Sequence, residues 1–245
     1  MKSVILAAGV GSRLMPLTRN TPKSLIDLGN GYSLLEMQLK AIEKCGLREI
    51  ILVTGYKSEQ IEAKVVDYKD FDFTIVFNPF YRIANNIVSA WFGLKDLEEP
   101  AVILNGDDVF HPRVLQGLLE SQQEITMVVS RKRTYSDEDM KVITNQEFVL
   151  DVGKDIPLEK ANGESIGMIL CRGRGLLNVK QMLLQMLRSE DNFQLFYLSA
   201  FRRLIADDYR IHFRECRAED WAEVDFHPDL EEISKHLFAD LPPLF

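Results

Sequence analysis

Short β-branched runs alternate with amphipathic stretches through the first half of this chain, and the alternation sets its architecture. Apolar runs at residues 2–7, 49–54, 73–77, 101–105 and 125–130 are each bounded by polar or turn residues, as strands are. Between them, residues 33–45, 58–66, 86–97 and 112–120 carry apolar side chains at three- and four-residue spacing. Leu34, Leu35, Leu39 and Ile42 form one such stripe. Strands joined through helices predict an α/β fold with a mixed, mostly parallel sheet covered on both faces. Ligands of such sheets sit outside the carboxyl ends of the strands.

From about residue 131 the pattern changes. A charged segment from Arg131 to Lys141 leads to strands near 147–152 and 164–171 and helices near 175–188 and 193–206. Strands near 209–215 and 221–225 and a helix near 228–238 follow. No linker rich in Gly, Ser or Pro intervenes, and no repeat is present. The expectation is one domain over residues 1–245, with a core at 1–130 and a lobe at 131–245 packed on it.

At the end of the first strand, Leu6, Ala7 and Ala8 run into Gly9-Val10-Gly11-Ser12-Arg13, and Thr21-Pro22-Lys23 comes ten residues later. Small residues let the backbone turn close against a ligand and expose N–H groups that hold phosphate oxygens. Arg13 and Lys23 supply the two cations that a triphosphate cradle needs. Gly9 and Gly11 alone also fit a plain strand-to-helix turn. Neither G-x-G-x-x-G nor G-x-x-x-x-G-K-[S/T] is present, which excludes those two phosphate-binding fingerprints.

Carboxylates are the natural second component. Asn105-Gly106-Asp107-Asp108 follows the apolar run Val102-Ile103-Leu104, so Asp107 falls at the same rim as the Gly9 turn and offers hard oxygen ligands for Mg²⁺. An Asx turn before Pro112 is the bland alternative. One carboxylate holds Mg²⁺ weakly, and Trp221-Ala222-Glu223-Val224-Asp225 provides further ones: on a strand, Trp221, Glu223 and Asp225 share a face. Asn85, Asn86 and Ser89 can point one way at the start of a helix, either to read a nucleotide or, for the asparagines, to cap it.

The run from Leu6 to Thr18 with Thr21-Pro22-Lys23 resembles the signature of the nucleotidyltransferases, and the chain looks most like their small bacterial cytidylyltransferases of the phosphocholine type. That resemblance implies a three-layer α/β/α Rossmann-like fold, CTP and a small phosphorylated acceptor as substrates, and Mg²⁺ as cofactor. It makes residues 1–130 the nucleotide-binding part and residues 131–245 the acceptor lobe. It assigns Asp107 and Asp225 to the metal, leaving Glu223 in support. Arg13 and Lys23 become catalytic. Leu6, Ala7, Ala8, Gly9, Gly11, Ser12, Gly106, Asn85, Asn86 and Ser89 become nucleotide-binding. Lys154 matches the lysine of an E-K-P motif that holds the acceptor phosphate, although here a Gly precedes it and the Pro is displaced; Lys141 competes for the role. Glu164 and Tyr197 complete the acceptor side.

The acceptor itself stays open among phosphocholine, 2-aminoethylphosphonate, phosphoethanolamine and similar compounds. A choline group calls for aromatic faces, worth roughly 0.5–2 kcal/mol each; Tyr81, Tyr135, Tyr197 and Trp221 are available, with Asp137, Glu138 or Asp139 for charge. Two rivals remain: a nucleotide-sugar pyrophosphorylase using UTP or dTTP, and a catalytically silent nucleotide-binding subunit. A net charge of −8 argues against nucleic acid as a partner. Cys45, Cys171 and Cys216 form no C-x-x-C pair, and His111, His212, His227 and His236 have no zinc spacing. With no signal peptide or long apolar run, a cytoplasmic protein without membrane insertion is expected, with a homo-oligomer possible.

Overall fold

The computed structural model describes residues 1–225; the expected helix near 228–238 and His227 and His236 lie outside the described residues. The strands are β1 (Lys2–Ala7), β2 (Glu49–Thr54), β3 (Asp72–Phe77), β4 (Ala101–Asn105), β5 (Asp108–Phe110), β6 (Ile125–Ser130), β7 (Lys141–Thr144), β8 (Phe148–Gly153), β9 (Gly163–Cys171), β10 (Ile211–Cys216) and β11 (Trp221–Glu223). The α-helices are α1 (Leu34–Lys44), α2 (Ser58–Val65), α3 (Asn86–Leu94), α4 (Pro112–Leu119), α5 (Gly173–Met186) and α6 (Leu198–Ala206).

Among these residues one sheet runs β3-β2-β1-β4-β9-β6-β10-β8-β7, and β5 pairs separately with β11. β3, β2, β1 and β4 are mutually parallel, as are β6 and β10, whereas β9 runs against both β4 and β6. The chain order reverses at β1, with α1 and α2 leading outward to β2 and β3 and α3 returning to β4 on the far side. Crevices at such reversals are where ligands of open α/β sheets bind. β9 comes from the second half of the sequence yet lies between β4 and β6.

Burial explains why these segments are strands. β1, β2 and β4 have helices on both faces, so they read as continuous apolar runs rather than as alternations. Two buried clusters result. One packs α3, α5 and α6 on the sheet through residues such as Val4, Ile103, Met127 and Phe201. The other packs α1, α2 and α4 through Ile5, Leu39, Leu52 and Leu115. Ser33 opens α1 with a capping box, its hydroxyl accepting from the Glu36 N–H while Glu36 accepts from the Ser33 N–H.

Several local expectations shift. The helix expected over 193–206 is a 3-10 turn, Glu190–Gln194, followed by α6 beginning at Leu198. β5 and β7 were not anticipated. Lys141, expected as a rival cation for the acceptor, is fully buried in β7 and donates from Nζ to the Ser136 carbonyl at 3.0 Å. It is a structural pin. Cys45, Cys171 and Cys216 are free thiols, and no described helix is long and apolar enough to cross a membrane.

Candidate active site

The ends of β1 and β4 lie side by side, with Leu6 opposite Asn105 and the Gly106 N–H donating to the Leu6 carbonyl at 3.1 Å. A Cβ at Gly106 would come within 2.5 Å of that carbonyl oxygen and 2.9 Å of the Ala7 Cα, so only glycine allows the contact. Gly11 adopts φ +65, and the Thr18 hydroxyl donates to its carbonyl at 2.8 Å, closing the turn that carries Arg13. At Gly9, by contrast, a Cβ would meet nothing within 4 Å. What a side chain there would fill is the open space of the site.

That space is a cavity of about 290 Å³ at the carboxyl ends of β1 and β4. Of the residues assigned above to the nucleotide, Leu6, Ala8, Gly9, Asn85, Asn86 and Ser89 line it, whereas Ala7, Gly11, Ser12 and Gly106 do not. Lys154, Glu164, Tyr197, Trp221 and Tyr81 also line it, as do Asp107, Glu223 and Asp225.

The three carboxylates converge because of β11. Asp108 lies opposite Glu223 in the β5–β11 ladder, and the Val224 N–H donates to the Asp107 carbonyl at 3.0 Å. One oxygen from each of Asp107, Glu223 and Asp225 lies within 4.8 Å of the others. Lys23 Nζ stands between two of them, 2.7 Å from Asp107 Oδ2 and 2.5 Å from Asp225 Oδ1. Burial opposes its charge, but Asp107 and Asp225 outweigh that and hold the ammonium above the ordinary lysine value. Burial likewise works against the Asp225 charge, and Lys23 with Arg13 overcomes it, so Asp225 ionises more readily than a free aspartate. Gln38, from α1, donates to the carbonyls of Asn105 at 2.6 Å and Asp108 at 2.9 Å, clamping the backbone on either side of Asp107.

Ion pairs continue from this cluster across the cavity. Arg13 bonds Asp225 at 2.6 Å and Glu138 at 3.1 Å, and Glu138 in turn accepts from Lys154 at 3.2 Å. Asp107, Lys23, Asp225, Arg13, Glu138 and Lys154 thus form one continuous chain of alternating charge. The sequence gives no hint that Glu138 would bridge Arg13 and Lys154.

Glu223, expected in support of the two aspartates, contributes an oxygen to the same cluster. Desolvation of its carboxyl, and after that repulsion by Asp107 and Asp225, push it up to about 8. The sign follows directly. The folded protein holds a proton on Glu223 that the unfolded chain releases near the normal glutamate value, so metal-free stability should fall as pH rises through the window from about 4.5 to about 8. A divalent cation binding there displaces that proton. Mn²⁺ affinity should therefore rise with pH over this window, and Glu223→Gln should flatten the rise. Titration calorimetry in two buffers of different ionisation heat measures the proton released; a pH-independent affinity contradicts the assignment.

The polar helix start serves the fold as well as the cavity. Asn85 caps α3, its side chain accepting from the Asn86 N–H at 2.7 Å. Asn86 Oδ1 accepts from the Tyr197 N–H at 2.9 Å, and Ser89 Oγ accepts from Asn78 at 3.0 Å. Tyr197, placed on the acceptor side by the resemblance, reaches the cavity wall with little surface: it is only 1% exposed, and its hydroxyl donates to the Gly167 carbonyl at 3.0 Å. Phe196, not singled out from the sequence, lies beside Lys154, whose Nζ is 5.1 Å from its ring centroid. Glu164 is buried and paired with Lys132 at 2.8 Å. Tyr135 lies 5.9 Å from Lys132 Nζ and does not line the cavity.

A family model described as nucleotidyl transferase matches residues 2–154. The CTP:phosphoglutamine cytidylyltransferase of Campylobacter jejuni is 24% identical over 94% of this chain and 98% of its own length. The choline-phosphate cytidylyltransferase of Streptococcus pneumoniae is 38% identical over 42% of this chain and 43% of its own length. In fold, the chain is similar to the CTP:phosphocholine cytidylyltransferase structure from Streptococcus pneumoniae, with a TM-score of 0.79, 22% identity, and coverage of 96% of this chain and 97% of that one.

Proposed function

Because this chain belongs to the nucleotidyl transferase family, we propose that it is a Mg²⁺-dependent cytidylyltransferase that joins CMP from CTP to a small phosphorylated alcohol or phosphonate. One observation carries most weight: Asp107 and Asp225, far apart in sequence, share Lys23 beside the Gly9 turn. The choice of CTP draws on the names of the similar proteins, several of which are cytidylyltransferases acting on phosphocholine, phosphoglutamine or aminoethylphosphonate.

In the reaction, an oxygen of the acceptor's phosphate attacks the α-phosphorus of CTP, the new O–P bond forms, and the bond to the β-phosphate oxygen breaks to release pyrophosphate. No protein nucleophile is required. Nor is a general base, since a phosphate monoester with a second pKa of about 6 is mostly dianionic at neutral pH. Catalysis is then positioning and charge stabilisation. Asp107, Glu223 and Asp225 present hard oxygens from three directions, a donor set suited to Mg²⁺. When bound there, the ion neutralises charge on the phosphates. Lys23 and Arg13 grip the triphosphate, the Gly9 turn leaves room for it, and Asn86 reads the nucleotide. Lys154, beside Phe196, orients the acceptor.

Pyrophosphate release from CTP, UTP and dTTP against a panel of phosphorylated alcohols, aminophosphonates and sugar 1-phosphates tests this reading. CTP with a small phosphorylated amine or alcohol is the expected pair. A preference for UTP or dTTP with a sugar 1-phosphate overturns it in favour of a pyrophosphorylase. With the productive pair, Lys154→Ala should raise the acceptor KM by about 10- to 100-fold, the value of a charge-assisted hydrogen bond, and leave the CTP KM within a factor of about two. An unchanged acceptor KM removes Lys154 from the acceptor site.

A further inference from the structure

Glu138 sits where two cations of the site meet, and the fold goes to some length to present it there. It lies on the segment between β6 and β7. Its neighbours are pinned: Asp139 pairs with Lys132 at 2.8 Å and accepts from the Ser136 N–H at 2.7 Å, and Lys132 is anchored in turn on buried Glu164. The buried Lys141 ammonium holds the Ser136 carbonyl from below. The backbone is thus fixed on both sides of Glu138, while its own side chain is 63% exposed and touches the fold through Arg13 and Lys154.

We propose that the Glu138 carboxylate is a built-in stand-in for the acceptor's phosphate, spanning Arg13 and Lys154 until an incoming anion displaces it, and that it thereby holds down the affinity of this site for every small anion. The inference rests on the reading of Lys154 as the acceptor's cation. Its logic is electrostatic. Any anion that binds there must first break the two Glu138 contacts, a cost that is the same for a singly charged carboxylate or sulfonate as for a dianion. A phosphate dianion brings twice the charge and three acceptor oxygens to the same pair. Because both ion pairs are largely exposed, Glu138 is held weakly and swings aside readily, so the barrier it sets is a modest one.

Glu138 also closes the chain of charges that begins at Asp107. Once the triphosphate draws Arg13 away, Glu138 keeps only its bond to Lys154, and its displacement becomes easier. Without Glu138, Lys154 would lose this carboxylate while Arg13 would keep Asp225, and the site would collect small anions more readily.

The test needs neither nucleotide nor transfer. Binding of inorganic phosphate and of methanesulfonate, a monoanion, is measured by calorimetry at low ionic strength for the full chain, Glu138→Gln, Lys154→Ala and the double variant. Glu138→Gln is expected to tighten both anions by a similar factor of about three- to tenfold. The double variant should lose the gain. Unchanged affinity for both anions overturns the proposal, and so does a gain that persists in the double variant, which would place the anion elsewhere. Weaker binding of phosphocholine by Glu138→Gln, with phosphate unaffected, overturns it as well, because Glu138 would then be reading the acceptor's cation. CMP transfer assayed in parallel separates this inference from the proposed function. Loss of CTP turnover with the anion shift intact sinks only the latter, and turnover without the shift sinks only the former.

Discussion

Asp225→Ala and Asp107→Ala should each lower CMP transfer by about 10³-fold or more while the protein stays folded, because phosphoryl transfer depends on cations neutralising charge at the phosphates. The two residues come from separate elements, the turn after β4 and the residues following β11, and both contact Lys23 Nζ. Removing either leaves Lys23 with the other, so the buried ammonium keeps a partner and the cost in stability is small. The double variant should be scarcely worse than either single one, as expected of groups that act as a unit. Turnover at saturating Mg²⁺ and Mn²⁺ affinity without substrates are the measurements. Near-normal turnover of either folded variant would remove it from the metal site and with it the proposed enzyme.

Replacing Lys23 by Met should produce two effects of opposite sign. Turnover should fall by about 100-fold or more, the range seen when one preorganised donor to a developing charge is lost. Metal affinity should rise, because the ammonium stands between Asp107 and Asp225 and competes with a divalent ion for the same oxygens. The pH dependence of the Asp225 contribution should invert, adding to the decline with rising pH that Glu223 already gives the parent protein. In the parent protein, Lys23 and Arg13 depress Asp225, so that its contribution to stability is present above the normal aspartate range and is lost as pH falls. With the lysine gone, three carboxylates within 4.8 Å repel one another, their protonation becomes favourable, and metal-free stability should decline as pH rises from about 5. Thermal melts across pH, with and without Mn²⁺, read both effects. A Lys23→Met protein with weaker metal binding, or with ordinary turnover, contradicts this account.

The framework was readable from sequence where burial is two-sided and local. β1, β2 and β4 are apolar throughout because helices cover both faces, and α1 announces itself by a stripe and by Ser33 and Glu36 at its start. What escaped was either too short or held by distant partners. β5 is three residues long and exists because β11 pairs with it. β7 begins where a charged stretch ends, and its one lysine, Lys141, is buried against a backbone carbonyl. The insertion of β9 between β4 and β6 depends on antiparallel pairing over a long separation, which leaves no local mark.

The site divides along the same line. Residue type and spacing singled out Asp107, Asp225, Arg13 and Lys23, and the fold brings all four into one ion-pair chain. Glu138 escaped as a bridge because one of its two contacts, Arg13, comes from 125 residues away. The surroundings of Tyr197 were not legible, because an aromatic ring with a polar tip looks alike in a core and at a pocket wall. Here the ring is packed near Phe201, with centroids 6.1 Å apart, and its hydroxyl is taken by the Gly167 carbonyl.

The ladder between β5 and β11 carries a consequence for the life of the chain on the ribosome. The glycine turn, Arg13 and Lys23 emerge early, and Asp107 follows, yet Glu223 and Asp225 arrive more than a hundred residues after Asp107. On the proposed reading, a nascent or clipped polypeptide lacking them has the phosphate cradle without the full set of acids, and would collect nucleotide without spending it. Competence would arrive only when β11 docks against β5, so that turnover would report the folding of strands made far apart in time.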